Sequence, residues 1–309
     1  IGETIEQTVA REVMEEVGLK VKNLRYYKSQ PWGVDGNVLM GFFCDVDGDN
    51  TIRIEVGPGW AVGTIAWASK RFANKTSLIS ALTVLYTDGT REEIVTDTAW
   101  NVYTTSVLYS DIYHGETVDK TAEIKYLGKA IRSDYKTKLI PQVGELITEH
   151  ERLSPIELIR TPSGEAVIDF GQNMTGYVEV RIKAERGARI MLHHAEVLDK
   201  DGNFYTENLR KAKCENLYVC SGDEDVFKPS FSFQGFRYIR LTEFPFENVD
   251  LDAFRAVVVH SDMKRTGYFR CGNEKINQLY HNVVWGQKSN YLDVPTDCPH
   301  RDERLGWTG

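Results

Sequence analysis

Cysteine is sparse and unpatterned in this sequence: Cys44, Cys214, Cys220, Cys271 and Cys298 are five in number, with no Cys-x-x-Cys among them. An odd, scattered set indicates neither a disulfide framework nor a zinc knot, and the simpler reading is a reducing compartment, the cytoplasm. Long apolar runs are lacking too. None approaches the roughly 18 residues of a membrane span, so no membrane partner is expected. Basic charge is in deficit, with 37 Lys and Arg against 45 Asp and Glu and a net charge of −8. That balance argues against an extended phosphate-binding face and removes nucleic acid as an expected partner. The start, Ile1-Gly-Glu3, has neither an initiator Met nor a basic leader and reads as the edge of a fragment. No internal repeat of fixed period runs through the chain, and nothing in it indicates an oligomeric state. What is present, 309 residues with 41% hydrophobic and 27% charged, suffices for two or three domains with their own cores.

Near the N-terminus, Ile5, Val9, Val13 and Val17 recur every four positions, which predicts a helix with one buried stripe, stopped by Gly18. On it Glu12, Glu15 and Glu16 stand at i, i+3 and i+4, so three carboxylates share a face and repel one another unless a cation neutralises them. A hard divalent ion such as Mg²⁺ suits such an oxygen cluster; a solvated glutamate-rich face is the plainer alternative. Glu3 followed by Arg11-Glu12-x-x-Glu15-Glu16-x-Gly18 resembles the Nudix box. The stretch Ser29-Gln-Pro-Trp32 and then Leu39-Met-Gly-Phe-Phe43 is similar to the segment after that box in NADH pyrophosphatases, with Gly33-Val-Asp35 where that family has Pro-Phe-Pro. The resemblance spans residues 1–50 and implies Mg²⁺ held by Glu12, Glu15 and Glu16 against a diphosphate. It is a partial α/β segment, because the strands that precede the helix in a Nudix domain are not in the sequence.

Asp45-Val-Asp47-Gly-Asp49-Asn50 misses the glycine and glutamate positions of a calcium loop and reads as an exposed turn. From Thr51 onward short β-rich runs alternate with Gly, Asp and Asn. Residues 82–86 and 93–95 around Asp88-Gly89 predict a hairpin, and residues 176–183, 189–194 and 236–241 read as further strands, with Asp201-Gly-Asn203 as a turn. Such texture predicts one or two β-sandwiches, divided near Pro141, Pro155 and Pro162. His193 and His194, adjacent on a strand, point to opposite faces and read as structural rather than as one metal site. Trp60, Trp67, Trp100 and Tyr113 suit a sugar platform in principle, but core is the expected role. Past Asn273, a plausible N-cap, Ile276, Leu279, Tyr280, Val283 and Val284 take the helical period, and Pro295 and Pro299 force the chain out of helix.

The closing stretch sets Asp297 and Glu303 six apart, with Arg301, Arg304 and Trp307 around them. These are parts for holding a polar, ring-shaped substrate and donating a proton to it; a solvated charged loop is the alternative. Asp297-Cys-Pro-x-Arg301-Asp-Glu303-Arg-Leu-Gly-Trp307-Thr-Gly309 resembles the signature of inverting bacterial α-L-rhamnosidases. Val56-Gly-Pro-Gly-Trp60, Ser110-Asp-Ile-Tyr-His-Gly-Glu116, Asp169-Phe-Gly-Gln-Asn173, His194-Ala-Glu-Val-Leu198 and Phe233-Gln-Gly-Phe-Arg-Tyr238 are similar to that family's non-catalytic β-domains.

The resemblance implies a mainly β chain: tandem β-sandwich domains, then the first helix and catalytic loop of a truncated (α/α)6 barrel, behind the partial α/β Nudix segment. The divisions expected are 1–50, 51–145, 146–262 (concanavalin-like) and 263–309. Glu303 would be the general acid, Asp297 and Arg301 would bind rhamnose hydroxyls, and Trp307 would line the sugar's apolar face. Rhamnose-containing glycosides or oligosaccharides are the implied substrates, and the glycosidase scheme needs no cofactor. His300 stands where Gln is common. The family's general base, a Glu much further along the barrel, is not in the sequence, so this chain is expected to be catalytically incomplete. The alternatives are an Mg²⁺-dependent Nudix diphosphate hydrolase fragment and a non-catalytic carbohydrate-binding module. The meeting of two incomplete families within residues 48–55 is expected to be a truncated or artificial junction.

Overall fold

The computed structural model describes residues 4–31, 38–46, 51–65, 68–86, 88–134, 138–140, 144–301 and 306. The chain divides into two compact units, Ile1–Glu55 and Val56–Gly309. In the first, helix α1 (Ile5–Val17) begins at a capping box: the Thr4 side chain accepts from the Gln7 backbone N–H at 3.2 Å, and Gln7 Oε1 accepts from the Thr4 N–H at 2.9 Å. It ends at Gly18, whose left-handed φ of 70° turns its N–H back to the Met14 carbonyl. Val9 and Val13 are half-buried, as the period requires, while Ile5 stays exposed. An antiparallel pair, β1 (Val21–Pro31) and β2 (Val38–Val46), comes next. The turn expected at 45–50 and the segment around Gly33-Val-Asp35 lie, for the most part, outside the described residues.

The second unit opens with α2 (Gly59–Val62) and the two-residue strands β3 (Thr64–Ile65) and β4 (Ala68–Ser69). The expected hairpin is formed by β5 (Ala81–Leu85) and β6 (Arg91–Val95), antiparallel, with Asp88 Oδ1 accepting from the Thr90 N–H at 2.8 Å inside the turn. Then come β7 (Asn101–Tyr103), β8 (Val107–Asp111), β9 (Gly115–Asp119) and β10 (Tyr126–Lys129), of which β7 and β10 pair with each other.

Next along the chain are β11 (Ile147–Leu153), β12 (Glu157–Arg160), β13 (Ala166–Lys183), β14 (Arg189–Ala195), β15 (Glu215–Val219), β16 (Glu224–Phe227), β17 (Gln234–Glu243) and β18 (Phe254–Ser261). These join β8 and β9 in one ten-stranded sheet of order β11-β18-β13-β17-β14-β15-β9-β8, with β12 and β16 also pairing to β13. The sheet therefore crosses the division expected at residue 145: β9 pairs with β15 in parallel, and the other ladders are antiparallel. The 18-residue β13 is the pivot. Its first half lies between β12 and β17 and its second between β18 and β16, so one strand serves both layers of a curled sheet. Phe170, Met174, Leu192, Phe227, Phe236 and Phe254 meet in the core this encloses.

Helix α3 (Glu274–Ser289) starts at the expected N-cap, with Asn273 Oδ1 accepting from the Lys275 N–H at 3.0 Å. Its apolar stripe is not where the period places it. Ile276, Leu279 and Val283 are exposed, and the helix meets the sheet through its last turns, where Trp285 packs on the core and Thr175 Oγ1 donates to the Ser289 carbonyl at 2.8 Å. Periodicity reports that a helix has one apolar side; it does not report what lies against that side. Two-residue strands β19 (Tyr291–Leu292) and β20 (Val294–Pro295) then lead into the closing stretch. No helix among the described residues is long and apolar enough to cross a membrane.

Candidate active site

The sheet builds a platform for the closing stretch. The β13–β17 register breaks between Asp169 and Met174, so Phe170, Gly171, Gln172 and Asn173 form a bulge. Its foot is fixed by Arg237, which donates to Asp169 from Nε at 2.8 Å and Nη2 at 2.6 Å, a forked charge-assisted pair on a buried carboxylate. At the other end of the bulge Asn173 Nδ2 donates to Glu196 Oε1 at 2.9 Å. Glu196 comes directly after the last residue of β14, and its Oε2 lies 2.9 Å from His300 Nδ1, with both side chains about one-seventh exposed (15% and 14%). This is a close polar contact that falls outside hydrogen-bond geometry.

Three consecutive residues of the closing loop are seated on this platform. Cys298 and Pro299 are buried. Pro299 lies so close to Gly235 of β17 that a Cβ there would come within 2.8 Å of the proline ring, so only glycine fits. The His300 carbonyl accepts from the Cys214 thiol at 3.0 Å. Cys214 itself holds φ at 52°, a left-handed conformation costly for a residue with a Cβ. On either side of the seated stretch stand Asp297 and Arg301, whose Nη2 donates to Asp297 Oδ2 at 2.7 Å while its Nε points to Cys298 Sγ at 2.9 Å. Burial pushes the Cys298 thiol pKa up, and the Arg301 guanidinium opposes that shift. A half-exposed carboxylate and guanidinium locked together in this way present acceptors and directed donors to a polyhydroxylated ligand.

Of the residues singled out from sequence, Asp297 and Arg301 are brought together. Glu303 and Trp307, with Asp302 and Arg304, lie outside the described residues. On α1 the repulsion between Glu12 and Glu15 is met by Arg11, which reaches Glu12 at 2.7 Å and Glu15 at 2.8 Å, all three side chains exposed; the Glu16 side chain is outside the description. Among the described residues no cluster of three His, Cys, Asp or Glu is placed to hold a metal. His194 is buried with Nδ1 on the Cys214 carbonyl at 2.8 Å, and His193 faces the other way, toward Glu215 and Thr242. Trp60 packs on a small core cluster and meets its buried Tyr113 edge-on at 5.3 Å, while Trp100, half-buried, packs in no core cluster among the described residues and donates from Nε1 to the Val95 carbonyl; Trp67 lies outside the described residues. Asn173, Glu196, Cys214 and Gly235 received no role from sequence. All but Cys214 sit inside the rhamnosidase-like motifs, and only their convergence on residues 298–300 shows what they do.

Comparison with known proteins gives four family matches. The α-L-rhamnosidase N-terminal domain matches residues 45–154, the bacterial α-L-rhamnosidase concanavalin-like domain 159–260, and the bacterial α-L-rhamnosidase six-hairpin glycosidase domain 264–309. The NUDIX domain matches residues 1–69. An α-L-rhamnosidase of Streptomyces avermitilis is 34% identical over 276 residues, 85% of this chain and 27% of that protein. The crystal structure of a Streptomyces avermitilis α-L-rhamnosidase complexed with L-rhamnose superposes with a TM-score of 0.76 at 34% identity, covering 81% of this chain and 26% of that one. The native α-L-rhamnosidase of Aspergillus terreus gives a TM-score of 0.77 at 35% identity, over 82% of this chain and 31% of that one. The NAD-capped RNA hydrolase NudC of Actinobacillus succinogenes is 60% identical over 55 residues, 18% of this chain and 20% of that protein. The chain thus spans 27 to 30% of the length of the curated α-L-rhamnosidases it matches.

Proposed function

We propose, for a chain whose residues 45–154, 159–260 and 264–309 match three α-L-rhamnosidase domains and whose first 69 residues match a NUDIX domain, a part in removing terminal α-L-rhamnose from glycosides with inversion. Glu303 protonates the glycosidic oxygen, Asp297 and Arg301 hydrogen-bond the sugar hydroxyls, and Trp307 lies along the apolar face of the ring. The observation that carries this reading is the Asp297–Arg301 pair at 2.7 Å, flanking a loop seated on the sheet. Inversion also needs a second carboxylate, about 6.5 to 9.5 Å from the acid, to activate water on the opposite face. No residue of this chain is assigned that work, so turnover by the chain alone is not expected.

Calorimetric titration with L-rhamnose tests the sugar-binding half. Binding is expected, weakened at least tenfold in Arg301→Ala and Asp297→Asn. Heat that persists unchanged in both variants would place the sugar elsewhere and favour a plain carbohydrate-binding module. Release of phenol from an aryl rhamnoside by this chain, abolished in Glu303→Gln, would overturn the assignment of an incomplete site.

A second reading rests on α1. Glu12 and Glu15, one turn apart and exposed, are hard oxygen donors that fit Mg²⁺, with Glu16 adjacent in sequence. When bound, such an ion would polarise a phosphoryl oxygen. Cleavage of NADH by this chain in the presence of Mg²⁺ is not expected; cleavage that disappears in Glu15→Gln would make this the better reading.

A further inference from the structure

We infer that Glu196 is a positioning residue: it transmits the geometry of the β13 bulge to the closing loop and so sets where Asp297 and Arg301 stand. Burying a carboxylate costs free energy unless partners satisfy it. Glu196 is largely buried, and its two oxygens engage two separately built pieces of the molecule. Oε1 takes the amide of Asn173, which the bulge lifts out of the β13–β17 ladder, and Oε2 faces His300 at 2.9 Å. Bulges beside functional sites commonly re-aim one side chain, and here the re-aimed side chain is Asn173.

The loop end of the connection is equally fixed. His300 comes after Pro299, which abuts Gly235, and its carbonyl takes the Cys214 thiol. Asp297 and Arg301 lie immediately before and after this seated stretch and are bonded to each other. Movement of residues 298–300 therefore displaces both members of the pair together. The structural part of the inference concerns what holds the loop; its functional part rests on reading Asp297 and Arg301 as sugar ligands.

The test uses the full chain and variants Glu196→Ala, His300→Ala, His300→Gln and the double alanine, read by amide hydrogen exchange and by L-rhamnose affinity. Glu196→Ala is expected to raise exchange in residues 296–301 at least tenfold, to leave β13 and β17 protected as in the parent, and to weaken rhamnose binding by a similar factor. His300→Ala should do the same, and the double variant should be no worse than either single one. His300→Gln, whose side-chain amide can occupy the place of the imidazole beside Glu196, should stay within about twofold of the parent. Should Glu196→Ala fail to fold, the His300 pair carries the comparison. Unchanged exchange in residues 296–301, loss of protection across the whole sheet, or fully additive single effects would each overturn the inference. Altered exchange in a parent chain that binds no rhamnose would support the positioning role and sink the sugar-binding reading instead.

Discussion

Glu149 on β11 shows how one side chain couples stability to pH. Burial raises its carboxyl pKa, but hydrogen bonds from Lys228 and Tyr177 and the charges of Lys228 and Arg152 outweigh that and hold it at about 2. A carboxylate whose folded value lies below its ordinary 4.5 stabilises the fold above that pH, and the contribution drains away as pH falls toward about 2. With its side chain one-third exposed, solvent screening keeps the contribution small. Urea midpoints measured at pH 5.5 and pH 3 are expected to fall less in Glu149→Gln than in the parent; equal falls would show that other carboxylates govern the acid limb. Arg152, three residues on, is the one partner near Glu149 in the sequence; the two that hydrogen-bond it to lower its pKa, Tyr177 and Lys228, come from β13 and from just beyond β16, so nothing local marks it out among 45 acidic residues. Asp297 and Arg301 were legible, being four apart with the signature around them. Their anchor at Glu196 was not.

Among the elements, those set by contacts a few residues apart followed the sequence closely. The helices at α1 and α3, the Asp88-Gly89 hairpin and the strands at 176–183, 189–194 and 236–241 all stand where period, cap and turn residues place them. Asn273→Ala removes the α3 cap and is expected to cost about 1 kcal/mol, measured as faster amide exchange over the first turn of α3; an unchanged first turn would mean that packing of the last turns alone holds the helix. The bulge in β13 was not legible. Gly171-Gln-Asn173 carries turn-forming residues inside a strand-like run, and only the pairing of β13 with β17 distinguishes a bulge from a break.

The molecule as a whole joins what the sequence texture separated. Strands β8 and β9, which precede the proline-interrupted segment, extend the sheet formed after it. The join is built in detail: Gly115, at φ 96°, sits where a Cβ would meet the Glu215 carbonyl at 1.9 Å, and the buried Glu116 carboxylate accepts from the Ser230 and Phe231 N–H groups at 3.0 and 2.5 Å. Burial pushes the Glu116 pKa up while those N–H groups pull it down. A chain starting at residue 146 would leave the edge of β15 and the 230–231 amides uncovered. Loss of cooperative urea unfolding is expected for it; a sharp transition at the parent's midpoint would show the later strands to be self-sufficient.

Composition, helix caps, hairpin residues and the two family signatures could be read from the chain in order, because each depends on neighbours within a turn or on a contiguous motif. The assembly of residues 169–173, 194–196, 214, 235–237 and 297–301 around one loop could not. It depends on hydrogen bonds and close approaches between segments far apart along the chain, such as Asn173 to Glu196, Glu196 to His300 and Gly235 to Pro299. A linear motif carries the identity of such residues but not their distances, and those arise from the curl of the sheet and the bulge in its longest strand.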